Sequence, residues 1–265
     1  MRRFFLTILA VVIATIALLF TAAALGSVSA RHAVAMLRPV TGFQQNGPVF
    51  QEVLDATAAM AVDRALTQAI GVVEDTFDTE FTRNPEVYLP ATLDRFKDFC
   101  ARRDLLGCVV RGRLFVTPDL VRQPDTRLPV LLTHEAVHLL LLEQLSLMQL
   151  AVTPVWFSEG LAEYVSKGPV VDECAIVAEI RDGAGFFPND TGWLLAFEGP
   201  ESFGLSLATF YRQAHGFVSF LARRDPAGFV DVLQKYLDGQ SVKSAINQGT
   251  GALTEALWRE WLAGC

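Results

Sequence analysis

Residues 129–142 read PVLLTHEAVHLLLL, a stretch that would be apolar on every side of a helix apart from four central positions. Such a helix is typically buried in a protein core. The four exceptions include ionisable side chains, whose burial is costly unless a partner compensates for the lost water. The stretch therefore predicts a core helix with a polar site built into it. Its polar members are Thr133, His134, Glu135 and His138.

The spacing of the two histidines suggests what that site binds. His134 and His138 are four positions apart, so both imidazoles project from one face of the helix. Two ring nitrogens in this arrangement can reach one tetrahedral metal ion with bonds of about 2.0–2.1 Å. Glu135 lies about 100° round the helix from His134, where it can contact a metal-bound water without binding the metal. This is the H-E-x-x-H arrangement, although two core histidines bonded to backbone groups remain an alternative.

A second polar pair follows in residues 154–164, which read PVWFSEGLAEY. A catalytic zinc takes three protein ligands and keeps a fourth position open. Glu159 comes twenty-one positions after His138, far enough for the chain to turn and bring a second helix alongside the first. Glu163 is one turn further on the same face and suits a carboxylate that accepts the free N–H of a ligating histidine. A solvated acidic pair is the alternative, but the aromatic residues before Glu159 favour a packed helix.

The remaining patterns predict a mostly helical domain with a small sheet ahead of the metal helix, which is the α+β class. Residues 86–89 are a strand candidate, and residues 108–110 with Arg113–Val116 indicate a hairpin across Arg111 and Gly112. Residues 170–205 are rich in glycine and proline and are predicted to be irregular. Helical patterns cover residues 49–77 (one or two helices), 91–103, 154–167, 207–223, Pro226–Leu237, 241–247 and 253–262.

The N-terminus predicts export. Residues 4–25 carry no charge and would cover roughly 33 Å as a helix, enough to cross a bilayer core of about 30 Å. Arg2 and Arg3 would keep the N-terminus in the cytoplasm. A membrane anchor is therefore expected, and a cleavable signal peptide is the alternative because residues 28–30, Val-Ser-Ala, resemble a cleavage site. Either segment places the rest of the chain outside the cytoplasm.

These features divide the chain into an anchor or signal peptide at 1–30, a connector at 31–48 and one domain at 49–265. The net charge of −7 gives no electrostatic support for a nucleic-acid partner. Membrane contact is expected through the N-terminal helix alone.

The four cysteines are compatible with an oxidising compartment. Cys100 and Cys108 are eight positions apart and could close a small loop, which would leave Cys174 to pair with Cys265. Four unpaired, buried thiols are the alternative. Because the chain has no C-x-x-C motif, a zinc site built from thiolates has no support.

The motifs HEAVH at 134–138 and WFSEGLAE at 156–163 resemble those of the gluzincin zinc metallopeptidases, and within them the compact bacterial peptidase MA-like domains. The resemblance covers residues 113–262 and is strong at these motifs. It implies a zincin-like domain with one zinc ion per chain. The implied site residues are His134, His138 and Glu159 as metal ligands, Glu135 as general base and Glu163 as the carboxylate behind a ligating histidine.

Residues 211–221, YRQAHGFVSFL, are similar to the helix that carries a transition-state tyrosine in the aminopeptidase branch. There the tyrosine opens a helix that ends in an aromatic–leucine pair, a spacing that Tyr211 shares. The resemblance implies that the Tyr211 phenol donates a hydrogen bond to the developing oxyanion, while a core tyrosine is the alternative. His215, one turn further, could face the same cleft or be structural.

The function that the resemblance implies is zinc-dependent hydrolysis of peptide bonds, with a peptide or protein as substrate. Arg113–Val116 would be the strand at the edge of the cleft, able to pair with an extended peptide. The Gly-Ala-Met-Glu-Asn type of segment that grips a free amino terminus is absent upstream of His134, which favours an endopeptidase. A zinc-stabilised pseudopeptidase that binds peptides without cutting them is the main alternative. A helical membrane protein with a chance motif is a further one.

Overall fold

The computed structural model describes residues 38–100, 105–122, 127–168, 172–188 and 199–265. The predicted anchor or signal peptide and its cleavage site lie outside these ranges. Within them, no helix has both the length and the apolar character that crossing a membrane requires.

The domain is α+β, as predicted, with a five-stranded mixed sheet whose strands all precede residue 127 in the sequence, and with most of the helices after it. The strand order is β1-β2-β3-β5-β4, with β2, β3 and β5 parallel to one another and the outer strands β1 and β4 antiparallel to their neighbours. The strands are β1 (Gln44–Asn46), β2 (Val49–Gln51), β3 (Val87–Leu89), β4 (Gly107–Val110) and β5 (Arg113–Val116).

The helices pack mainly on one face of this sheet and on one another. A short 3₁₀ helix covers Pro200–Phe203. The α-helices of the described ranges are α1 (Ala56–Phe77), α2 (Leu93–Lys97), α3 (Pro118–Arg122), α4 (Arg127–Gln144), α5 (Leu147–Val152), α6 (Val155–Val165), α7 (Glu173–Arg181), α8 (Leu207–Arg224), α9 (Pro226–Leu237), α10 (Val242–Thr250) and α11 (Thr254–Ala263).

The predicted hairpin is present, but its position in the sheet corrects one expectation. Arg111 and Gly112 have φ values of 54° and 71°, the left-handed backbone that a two-residue hairpin turn requires. The strand at the sheet edge is β4, and β5 lies between β3 and β4, so the prediction that Arg113–Val116 borders the cleft was wrong. The central position of β5 goes with its burial, because three consecutive residues of the strand are completely covered, as in a strand packed on both faces. They are Leu114, Phe115 and Val116.

Three further predictions differ from the structure. Val49–Gln51, predicted to start a helix, is β2, and the helix begins only after Asp55, whose side chain accepts the N–H of Ala58 at 3.0 Å. Of the helix predicted over 91–103, residues 101–103 lie outside the described ranges, and the described part contains the short α2. The irregular stretch 170–205 contains α7, because Asp172 caps its N-terminus and Ile176 and Val177 are buried.

Each face of the sheet supports a separate hydrophobic cluster, since alternate residues of a strand point to opposite sides. Val87 and Leu89 belong to the main core with the helices, whereas Tyr88 between them packs in a smaller aromatic cluster on the other face. A disulfide between Cys100 and Cys108 closes that smaller cluster. A second disulfide joins Cys174 in α7 to Cys265 at the C-terminus of the chain.

Candidate metal centre

The candidate site forms where α4 and α6 pack against each other. Between them the chain reverses through α5, whose capping box has Ser146 accepting from the Gln149 N–H and the Gln149 side chain accepting from the Ser146 N–H. Helix α6 is held in place by a close contact with α8. A Cβ atom at Gly160 would lie 2.6 Å from the carbonyl oxygen of Ala214, so the residue beside Glu159 has to be glycine.

This packing brings three donor groups to one point. Nε2 of His134 lies 3.2 Å from Nε2 of His138, and Oε2 of Glu159 lies 3.3 Å and 3.5 Å from those two nitrogens. The three side chains are largely buried, since they retain only between 12% and 21% of their exposure. His134, His138 and Glu159 are called the three-donor cluster below.

The chemistry of the three-donor cluster fits a metal ion. Oε2 of Glu159 is buried and makes no hydrogen bond, although two ring nitrogens lie within ion-pair distance of it. A buried carboxylate oxygen without a hydrogen bond is unfavourable unless a cation balances it. Neutral imidazole nitrogens and a carboxylate are also ordinary metal ligands. The cluster can therefore hold a metal ion.

Behind the cluster, Glu163 contacts the other nitrogen of His134. Oε1 of Glu163 lies 3.3 Å from Nδ1 of His134, so the carboxylate can accept the N–H of this ring. In the neutral ring, such a bond leaves Nε2 of His134 without a proton and turned toward His138 and Glu159. The structure thus places Glu163 where the sequence predicts a supporting carboxylate.

The pKa values in the protein without metal show how strongly these groups interact. Burial lowers the pKa of His134, but the adjacent carboxylates of Glu159 and Glu163 outweigh it and raise this pKa from 6.5 to about 10. Burial raises the pKa of Glu159, yet His138 and His134 together bring it well below its usual range. The carboxylates therefore favour a positive charge between His134, His138 and Glu159, and either a proton or a metal ion can supply it.

Glu135 lies beside the three-donor cluster without belonging to it. Its side chain is buried, and this burial raises its pKa, while the neighbouring His134 and His138 work in the opposite direction. A Cβ atom at Gly107 would be 3.3 Å from Oε1 of Glu135 and 3.1 Å from Leu131. Glu135 therefore lies against the edge strand β4, at a contact that the sequence did not reveal.

Within the described ranges, the edge strand β4 has backbone groups next to Glu135 that pair with no other strand. The N–H of Thr117 donates to the carbonyl of Leu106 at 2.9 Å, and the antiparallel register pairs Cys108 with Phe115. Because hydrogen-bonded positions alternate along such a pair, the N–H and C=O groups of Gly107 and Val109 point away from β5. Among the described residues no strand pairs with β4 on that side.

Helix α8 brings Tyr211 to the same region. The Tyr211 ring lies 6.1 Å from that of His134, nearly parallel to it, at 21°. His215, one turn further, is buried, and burial lowers its pKa against the opposing effect of Glu163 and Glu173. The structure thus places Tyr211 beside a member of the three-donor cluster and His215 within the electrostatic reach of Glu163.

Comparison of the sequence with protein-family models and with curated proteins finds no match. The resemblance to gluzincins therefore rests on the two sequence motifs.

Proposed function

We propose that this chain is a zinc-dependent peptidase that hydrolyses peptide bonds outside the cytoplasm. The observation that supports this most directly is the three-donor cluster with Glu135 buried beside it and against an open sheet edge. The site combines a place for one metal ion, a carboxylate of raised pKa and a row of backbone groups suited to an extended chain.

Zinc is the proposed metal because the donor set and its spacing suit a tetrahedral ion. Ligands of a tetrahedral ion with bonds of about 2.0–2.1 Å lie about 3.3–3.4 Å apart, close to the 3.2, 3.3 and 3.5 Å between these donors. Adjacent ligands of an octahedral ion with such bonds would be closer, at about 2.9 Å. When bound, zinc polarises a carbonyl group and lowers the pKa of water toward about 7.

Glu135 is the proposed general base. Its burial makes the carboxylate more basic than one in water, which brings its pKa nearer to the range that proton transfer needs. It would take the proton of the attacking water and pass it to the leaving amine. The nearby imidazoles of His134 and His138 oppose this rise in the pKa of Glu135.

The substrate is proposed to be an extended peptide that adds to β4. Gly107 and Val109 offer N–H and C=O groups that match the backbone of such a chain. The lack of a side chain at Gly107 lets this backbone run close to Glu135. The Tyr211 phenol is proposed to stabilise the oxyanion with a hydrogen bond, given its position beside His134. Endopeptidase action is proposed, since the segment that would hold a free amino terminus is absent.

Location outside the cytoplasm is proposed from the apolar N-terminal run and gains support from the two disulfides, which persist mainly in oxidising compartments. One experiment tests the function. The domain is purified, its metal content is measured, and it is incubated with a mixed peptide library. One zinc per chain with cleaved peptides is expected. A zinc-loaded protein that cuts nothing would instead indicate a peptide-binding pseudopeptidase.

A further inference from the structure

The end of helix α6 has an unusual arrangement of residues. The N–H of Gly168 donates to the carbonyl of Glu163 at 3.1 Å, and the N–H of Lys167 donates to that of Tyr164 at 3.3 Å. These two bonds define the Schellman ending, in which glycine usually occupies the left-handed position. Here that position, with φ of 50°, is occupied by Lys167, and the glycine comes one residue later.

Backbone conformation does not explain why residue 168 is glycine. Gly168 is not among the glycines with positive φ, so an L-residue could adopt its backbone angles. In the sequence it precedes Pro169, a position that prefers extended backbone, which alanine readily takes up. The reason has to be sought in the space around Gly168.

That space is occupied by the carboxylate that supports His134. A Cβ atom at Gly168 would lie 2.4 Å from Oε2 of Glu163, far inside van der Waals contact. The other oxygen of the same carboxylate, Oε1, lies 3.3 Å from Nδ1 of His134. Because both oxygens belong to one planar carboxylate, a methyl group that displaces Oε2 would also change the position of Oε1 relative to Nδ1 of His134.

We propose that Gly168 is a positioning residue for the metal centre: the absence of its side chain lets the Glu163 carboxylate lie where it orients the imidazole of His134. The inference rests on the proposed metal-binding function and adds a residue to it. The end of helix α6 and the orientation of the His134 ring are thereby linked, since the backbone turn that ends α6 packs against the Glu163 carboxylate.

A double-mutant cycle tests the proposal. The affinity of the full domain for Zn²⁺ is measured by competition with a chromophoric chelator for the wild type, Gly168→Ala, Glu163→Ala and the double variant. Loss of a carboxylate behind a ligating histidine typically weakens metal binding by about 10–100-fold, and Gly168→Ala is expected to lose a comparable factor. In the Glu163→Ala background the same glycine change is expected to have no further effect.

Two controls separate this effect from general damage to the fold. Gly71 lies within α1 with open space where a Cβ would be, so Gly71→Ala is expected to leave zinc affinity unchanged. Lys167→Gly changes the turn that ends α6 without adding a side chain, and it is also expected to leave zinc affinity unchanged. The ¹H resonance of the His134 Nδ1–H, seen in ¹⁵N-histidine-labelled protein, is expected to shift in Gly168→Ala and not in the controls.

The outcomes are distinguishable. Wild-type affinity in Gly168→Ala, or an equal loss in the Glu163→Ala background, would overturn the positioning role while leaving the metal centre intact. If the wild type binds no zinc and His134→Ala changes nothing, the proposed function itself fails. Should Gly168→Ala fold poorly, restored folding of the double variant would support the collision, because that variant lacks the carboxylate, and equally poor folding of the double variant would overturn it.

Discussion

Glu135 faces Gly107 across the boundary between helix α4 and strand β4, with Oε1 of Glu135 only 3.3 Å from where a Cβ of Gly107 would be. The proposed base therefore borders the strand along which a peptide would bind. This relationship motivates the first prediction.

Glu135→Gln preserves the shape of the side chain and removes its basicity. We expect kcat to fall by about 10²–10⁴-fold, since that is the usual contribution of a general base, while zinc stays bound by the three-donor cluster. Steady-state kinetics on any peptide that the wild type cleaves, with metal analysis of the same samples, provide the measurement. Glu143→Gln, the same change on the same helix, serves as the control and should leave kcat unaltered. Wild-type turnover in zinc-loaded Glu135→Gln would show that the assigned mechanism is wrong.

Each member of the three-donor cluster should be needed for metal retention. His134→Ala, His138→Ala and Glu159→Ala remove one of three ligands, and each is expected to lose zinc on dialysis against a chelator that the wild type withstands. The metal content after dialysis is measured by atomic emission. Full zinc occupancy in Glu159→Ala would instead assign the third ligand to Glu163, which contacts the other ring nitrogen of His134, Nδ1.

Tyr211→Phe keeps the ring beside His134 and removes the phenol hydroxyl. If this hydroxyl is the only side-chain donor to the oxyanion, kcat is expected to fall by about 10²–10³-fold with little change in KM. Tyr164→Phe is a matched control, because its ring packs edge-on against Phe229 at 5.6 Å and the same atom is removed. An equal effect of both substitutions would argue against a catalytic part for Tyr211.

The stability of the metal-free protein should depend on pH through His134. The adjacent carboxylates of Glu159 and Glu163 outweigh the effect of burial and raise the pKa of His134 from 6.5 to about 10. A raised pKa stabilises the fold fully below the unfolded value, and the contribution is lost as pH rises through the folded value. The free energy of unfolding, measured by urea titration with a chelator present, is therefore expected to fall between about pH 6.5 and pH 10. His134→Gln should show a flatter profile over this range, and an unchanged slope would contradict the prediction.

The N-terminal segment decides how the domain is attached. If residues 4–25 are an anchor, the mature protein keeps residues 1–30 and fractionates with membranes. Edman sequencing of protein isolated from its native membrane or secreted fraction gives the answer. A mature chain that starts at Arg31 would identify a cleaved signal peptide.

Much of the candidate site was accessible from the sequence because α-helical geometry is local. The positions of His134, Glu135 and His138 relative to one another follow from 3.6 residues per turn, and no distant contact is needed to derive them. The same holds for the long helices α8 and α9, whose apolar periodicity predicted their bounds to within a few residues. The strands β1 and β2, three residues each, are too short to show any periodicity, so they were assigned to a connector and a helix.

What the sequence by itself determined is therefore the class of the fold and the donor atoms on each helix. Tertiary structure decided how these donors meet: Gly160 permits the approach of Ala214 that positions Glu159, and the pairing of β5 with β3 leaves β4 beside Glu135. It also showed that the glycine ending α6 adjoins the carboxylate of Glu163. The physical reason is that helical periodicity arises from bonds between near neighbours, whereas strand order and helix contacts depend on which distant surfaces fit together.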